Sequence, residues 1–322
     1  MTMHRKLRQA LGAVALLAFA GAGQADPLRV GYNQWAGFAP VFVAADQGLF
    51  KAEGVEVDLR SFPGPADSIP PLIAGHLDLS LTTPDALIPL NDNGLEVLTV
   101  MVLDASHGGD GIIAGGDITS IADLRGKRIG VTEGEVNHLL LMLALEQAGL
   151  SGDDIRIANM NADDAGAAFI AGQLDAAVTW EPWLSNAVKE RAGQVLFTSA
   201  DVPDMLIDVV AVTPAKLAAR EQDIGAFVRS IDKALTYMAA EPDASNAIVG
   251  RWLDIEAAEI GEMLEGIRLY GSEHNSILFS GTDPEADIAQ SFEKIGGFLQ
   301  SQGLAQGTTD TKEMLDGRLF TN

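Results

Sequence analysis

An internal echo constrains this chain more than any other feature. Residues 73–85 read IAGHLDLSLTTPD and residues 170–182 read IAGQLDAAVTWEP, an offset of 97 positions with Ile, Ala, Gly, Leu, Asp and Thr in matching places. Each copy reads as a helix end, a glycine stop, and an aspartate opening a buried strand that runs out into a polar turn. Around both copies, short β-rich runs alternate with helical patterns from Leu28 onward, which predicts parallel α/β structure. LRVGYNQW, VEVDLRSF and LDLSLTT read as a first set of strands, with APVFVAADQGLF and a proline-interrupted ADSIPPLIAGH as helices between them. LEVLTVMVLD is a long apolar strand, and DASHGGDG is too rich in Gly and Asp to continue it. IIAGG, RIGVTEG, RIANMN, DAAVTW and QVLFTSA form a second set, with a strong helix at VNHLLLMLALEQAG. After MLIDVVAVT the chain reads as mostly helical. Two such sets predict two lobes, and 322 residues exceed the ~250–300 at which a single core stops growing.

The N-terminus, MTMHRKLRQALGAVALLAFAGAGQADP, has the pattern of an export signal: Arg5, Lys6 and Arg8, a short apolar run Leu11–Ala20, and small residues before a cleavage point after about Ala25. That run is too short for the ~20 residues of a membrane span. The expected mature protein is periplasmic, without direct membrane insertion. The absence of cysteine excludes disulfides, thiolate metal sites and cysteine nucleophiles. Loss of the leader's three cationic side chains takes the formal charge from −24 to −27. So acidic a surface repels nucleic acid and anionic lipid.

Ligands of open parallel sheets sit beyond the carboxyl ends of the strands. Two facing lobes would therefore bring Thr82-Thr83-Pro84-Asp85 and Thr179-Trp180-Glu181-Pro182-Trp183 into one cleft, with Asn33-Gln34-Trp35 on the same rim. Asp85, Glu181 and Asp208 stand at matching places, and Trp35, Trp180 and Trp183 are three of the four tryptophans. Indole faces attract cations by roughly 0.5–2 kcal/mol, and a buried carboxylate needs a partner. A cation or amine answers both needs. At the helix start Thr132–His138, Glu133 and Glu135 bring negative charge to an end whose N–H groups otherwise favour an anion.

The runs VGYNQWAGFAPVFVAADQGLFKAEGVEV, IAGHLDLSLTTPDAL, ITSIADLRGKRIGVTEGEVNHLLLMLALEQAGL, IAGQLDAAVTWEPW and TSADVPDMLIDVVAVTPAKLA resemble the periplasmic substrate-binding proteins of ABC importers. The branch is the nitrate/sulfonate/taurine type, which includes thiamine-pyrimidine and other nitrogen-compound binders. The resemblance covers about Leu28 to Ala240. It implies a type II periplasmic binding protein: two α/β lobes joined by two crossover strands around a ligand cleft that closes by hinge motion. The first lobe would comprise residues 26–110 and 209–322 and the second residues 111–208, with crossings near Gly109–Ile113 and Leu206–Val210. The partners implied are a small-molecule solute and the transmembrane subunits of an ABC permease; no cofactor is implied. The candidate ligand-binding residues are Asn33, Trp35, Thr83, Asp85, Asp110, Glu135, His138, Trp180, Glu181 and Asp208. In taurine-type relatives an Asp in the context of Asp208 helps hold the amino group. Asp104, Ser106 and Asp110 form a D-x-S-x-x-x-D pattern seen in nitrogen-compound relatives and are read as hinge and rim groups.

The expected solute is small, nitrogen-containing, and cationic or amine-bearing; the alternative is a sulfonate, taurine or nitrate receptor of the same family. Two other classes stay open. An enzyme on the same fold, of thiamine-pyrimidine or menaquinone type, would use Glu181 and His138 as acid and base, but such enzymes are intracellular. An adhesin or docking protein would bind no small molecule. No G-x-S-x-G, H-E-x-x-H or phosphate loop is present, and the only weak metal pattern is Asp104, His107 and Asp110.

Overall fold

The computed structural model describes residues 26–283 and 287–320. The expected export signal therefore lies outside the described residues. Among the described residues eleven strands form two sheets. The first contains β1 (Leu28–Asn33), β2 (Val57–Phe62), β3 (Leu79–Thr82), β4 (Leu98–Ser106), β10 (Ile207–Val212) and β11 (Ile267–Leu269), in the order β11-β4-β10-β3-β1-β2. The second contains β5 (Asp110–Ala114), β6 (Arg128–Val131), β7 (Arg156–Asn159), β8 (Ala176–Trp180) and β9 (Gln194–Thr198), in the order β7-β6-β8-β5-β9.

The echo in the sequence is an echo in topology. β2-β1-β3 and β7-β6-β8 are both parallel triplets, and each is continued beside its third strand by an antiparallel one, β10 or β5. Matching residues do matching work. Gly75 and Gly172 close their helices with φ of 76° and 77°, a backbone that glycine adopts at no steric cost. Asp78 accepts the Arg29 backbone N–H at 3.0 Å, and Asp175 accepts that of Arg128 at 2.8 Å. The Thr82 hydroxyl donates to the Pro65 carbonyl and the Thr179 hydroxyl to that of Ala162. Gly31 and Gly130 let Leu77 and Leu174 lie against the first strand of each triplet: a Cβ would meet their Cδ1 atoms at 2.7 and 2.6 Å.

One sequence expectation needs correction. DASHGGDG does not end the strand: β4 continues through Ser106, and only His107–Gly109 separate it from β5. Pairing with β10 and β11 on either side overrides the weak strand propensity of Asp104-Ala105-Ser106. The helical C-terminal part also contributes β11, antiparallel to β4. The chain passes between sheets at His107–Gly109 and again between Thr198 and Ile207. The helices Ala39–Asp46, Pro214–Ala240 and Pro242–Leu253 pack on the first sheet, where Phe50 stacks on Phe227 and Phe42 on Trp252, both at 5.2 Å. Trp252 thus belongs to the core.

Candidate functional site

The carboxyl ends of the two triplets meet at a small cavity. Asn33, Trp35, Thr83 and Asp208 line it from the first sheet and its turns, and Asp110, Val136 and Trp180 from the second. Its volume is about 20 Å³, room for about one water, so the lobes sit closed on this cluster. No lysine or arginine lines it among the described residues.

The walls are acidic and under-bonded. Trp35 Nε1 donates to Asp104 Oδ1 at 3.1 Å, and Gly37 makes room for the contact: a Cβ there would lie 2.2 Å from that indole nitrogen and 2.4 Å from Asp104 Oδ2. Asp110 takes a long bond from Asn137 Nδ2 at 3.5 Å, and its backbone N–H donates to Ser106 Oγ. Asn33 Oδ1, Thr83 Oγ1, Asp85 Oδ2, Asp104 Oδ2 and Asn137 Oδ1 are buried without a hydrogen-bond partner. Orphaned buried acceptors cost roughly 1–3 kcal/mol each and call for donors.

The carboxyls are held towards the neutral form. Burial pushes Asp110 up to about 7, with the Glu181 charge acting in the same direction. It pushes Asp104 up to about 7 and Asp85 up to about 6. Glu135 rises to about 7 by burial, then by the negative charges of Asp85 and Asp67. Burial, followed by the Asp104 and Asp110 charges, raises Asp208 well above the ordinary carboxylate range.

Of the ten candidate residues, the structure brings Asn33, Trp35, Thr83, Asp110, Trp180 and Asp208 to the cavity wall. Asp85 and Glu135 are not among the residues lining it, and the Asp85 charge acts on Glu135. Glu181 does not face Asp85 across the gap. Glu181 lies one residue beyond the end of β8, in the turn before the helix Trp183–Arg191, where Ser185 donates to it through N–H and hydroxyl at 3.1 and 2.9 Å. His138 is also turned away: its Nδ1 accepts the Gly134 N–H at 3.3 Å and its ring packs edge-on against Phe298. Glu181 and His138 therefore have separate partners, which removes them as an acid–base pair. Among the described residues no group of three or more His, Asp or Glu is placed to hold a metal ion, so Asp104, His107 and Asp110 do not make a metal site.

Asp163, which sequence reasoning missed, organises the aromatic wall. Its Oδ1 accepts the indole N–H of Trp180 at 2.8 Å and of Trp183 at 2.9 Å. Trp180 also borders an outer groove of about 930 Å³, where Trp183, Glu181 and Arg251 lie. Trp183 belongs to this groove and not to the inner cavity. The available signal for Asp163 was its place in the first turn of the helix Ala162–Ile170. The signal for Asn137 was its place in the first turn of Val136–Gln147.

Comparison with known proteins agrees with the architecture. The chain is 29% identical over 240 residues to a Brucella abortus protein named as a binding protein, covering 73% of this chain and 74% of that one. An Escherichia coli protein named for binding aliphatic sulfonates is 26% identical, with 79% of this chain and 81% of that one covered. The taurine-binding periplasmic protein of Escherichia coli is 27% identical, with 72% of each covered. Among solved structures, the alkanesulfonate-binding protein SsuA of Xanthomonas axonopodis superposes with a TM-score of 0.76 at 18% identity, over 92% of this chain and all of that one. The fold also occurs in an enzyme, the desulfurization enzyme DSZB, with a TM-score of 0.68 at 16% identity over 92% of this chain and 97% of that one. The matching family model, described as NMT1/THI5 like, spans residues 35–245, well over half the chain, and the protein belongs to that family.

Proposed function

We propose that this protein is the extracytoplasmic receptor of an ABC importer and that its solute enters the cleft with a nitrogen-centred, N–H-rich cationic group. The observation that carries the solute class is the cavity wall: buried carboxyls and orphaned acceptors, with no lysine or arginine among the described lining residues. A group with several N–H donors satisfies those acceptors and supplies the missing charge.

The ligands for which relatives are named, aliphatic sulfonates and taurine, support the alternative, sulfonate-type reading better than a simple cation. An aminosulfonate joins both lines of support. Its ammonium would enter the carboxyl cluster, and its sulfonate would stay outside it, within reach of Arg251, which lines the outer groove beside Asp163, Glu181, Asp254, Glu256 and Glu259. The receptor role, rather than catalysis, is supported by relatives named as binding proteins. Export to the periplasm and docking to a permease belong to the same reading; among the described residues no helix is long and apolar enough to cross a membrane.

A thermal-shift series tests the solute class, because a ligand stabilises as the logarithm of its concentration over Kd. Primary amines, guanidines, pyrimidines, taurine, simple alkanesulfonates and nitrate should separate by their N–H cation. Stabilisation by ethanesulfonate or nitrate, with none by taurine or any amine, would sink the reading.

A further inference from the structure

The carboxyl cluster contains a pair that lack of a counter-ion alone does not describe. Asp104 on β4 and Asp208 on β10 are directly opposite one another in an antiparallel ladder. Their carboxyls are within hydrogen-bonding reach. Trp35 serves one oxygen of Asp104, and the other, Oδ2, has no donor. Two carboxylates only accept, so such a contact needs a proton on one of them.

Among the described residues the surroundings offer no substitute for that proton. Asp110 on β5 adds a third carboxyl, with Asp85 and Glu135 beyond it. From β11, Arg268 is exposed and turns to His107 and Asp204, and the neighbouring Tyr270 is a neutral phenol whose own ionisation burial opposes. On the helix Val136–Gln147, Asn137 serves Asp110, and His138 faces Gly134 and Phe298. Lys189 is paired with Glu259, while Glu262 and Glu265 on the same helix as Glu259 are exposed. The short helix Ala36–Phe38 carries no charge.

We infer that before solute enters, Asp208 is a neutral carboxylic acid donating to Asp104, and that a cationic head group displaces this proton to solvent as it binds. This rests on the proposed solute class. The exchange balances: one O–H bond breaks, the proton passes to water or buffer, and one positive charge enters beside a pair that goes from −1 to −2. Burial raises both groups, and the neighbouring carboxylates raise Asp208 further. Below the pair's titration range, affinity for the cation should fall towards tenfold per pH unit.

The full chain labelled with ¹³C at its aspartate carboxyls tests the resting state without any ligand. As pH rises past 7, to which burial also raises Asp104 and Asp110, the last aspartate carboxyl carbon to lose the shift of a protonated acid should vanish in Asp208→Asn and move in Asp104→Asn. Because the wild-type pH titration already decides the point, a variant that fails to fold does not block the test. Finding every aspartate carbon ionised at pH 7 overturns the inference. Calorimetric titration with taurine and with methylguanidine, each in two buffers of different ionisation enthalpy, should show release of about one proton per bound ligand. Binding without proton release overturns the exchange. A protonated carbon with no binding of either probe overturns the solute class on which the exchange rests.

Discussion

Substituting the matched aspartates of the two triplets should separate burial from mere hydrogen bonding. Asp78 is 1% exposed and accepts from Arg29 through N, Nε and Nη2 at 3.0, 2.8 and 3.0 Å, and from Lys216 Nζ at 2.6 Å. Asp175 is exposed and accepts from the Arg128 backbone N–H at 2.8 Å. Breaking a fully buried ion pair costs about 3–5 kcal/mol, but the Arg29 and Lys216 side chains are 28% and 29% exposed and keep some hydration. Asp78→Asn should therefore cost about 3 kcal/mol and Asp175→Asn about 1 kcal/mol, the latter one hydrogen bond to a charged group at a wet site. At about 2–4 °C per kcal/mol, the melting points should fall by about 6–12 °C and 2–4 °C. The cationic partners hold the Asp78 carboxyl well below its ordinary range, although burial opposes them. Its contribution is thus complete above the unfolded value, about pH 4, and is lost as pH falls through the lower folded value. The deficit of Asp78→Asn should be constant near neutrality and shrink only in strong acid. Calorimetric melts of both variants across pH check this, and equal losses from the two substitutions would refute the reasoning.

Asp163→Ala should cost about 1–2 kcal/mol and shift tryptophan emission, since two indole donors lose one acceptor. Asp163→Asn, which keeps an acceptor oxygen, should restore most of both. Gly37→Ala should destabilise by about 1–3 kcal/mol through overpacking against Trp35 and Asp104, read by urea denaturation. The raised carboxyls Asp85, Asp104, Asp110 and Glu135 have the opposite linkage sign to Asp78. The folded protein holds their protons while the unfolded chain has released them, so their contribution should fall as pH rises from about 4 towards 7. A urea midpoint that rises with pH in Asp78→Asn over that window would contradict this.

Much of the architecture was legible because burial writes itself into sequence as alternation and apolar runs. β3 and β8 announced themselves as strands between a glycine stop and a polar turn, and six of the ten candidate residues reach one cavity wall. What was not legible depended on direction rather than on type. Glu181 looked like a cleft residue beside Trp180, yet it lies past the strand's end and is held by Ser185 of the helix that follows. His138 stood at the correct helix start but was claimed by Gly134 and Phe298. Asp163 is distant in sequence from the turn it braces, and only the packing of its helix against β8 brings them together. The extended backbone of Asp104–Ser106 is dictated by strands that arrive more than a hundred residues later.

That last dependence has a consequence for how the chain assembles. β10 lies in the middle of the first sheet, between β3 and β4, although it is made after every strand of the second. Until residue 212 emerges, β3 and β4 each present an open edge to pairing with another chain. The second sheet, by contrast, has all its strands once residue 198 is present. The lobe encoded later can therefore finish first, and the N-terminal segment must be kept from aggregating until the returning strand is threaded between its halves.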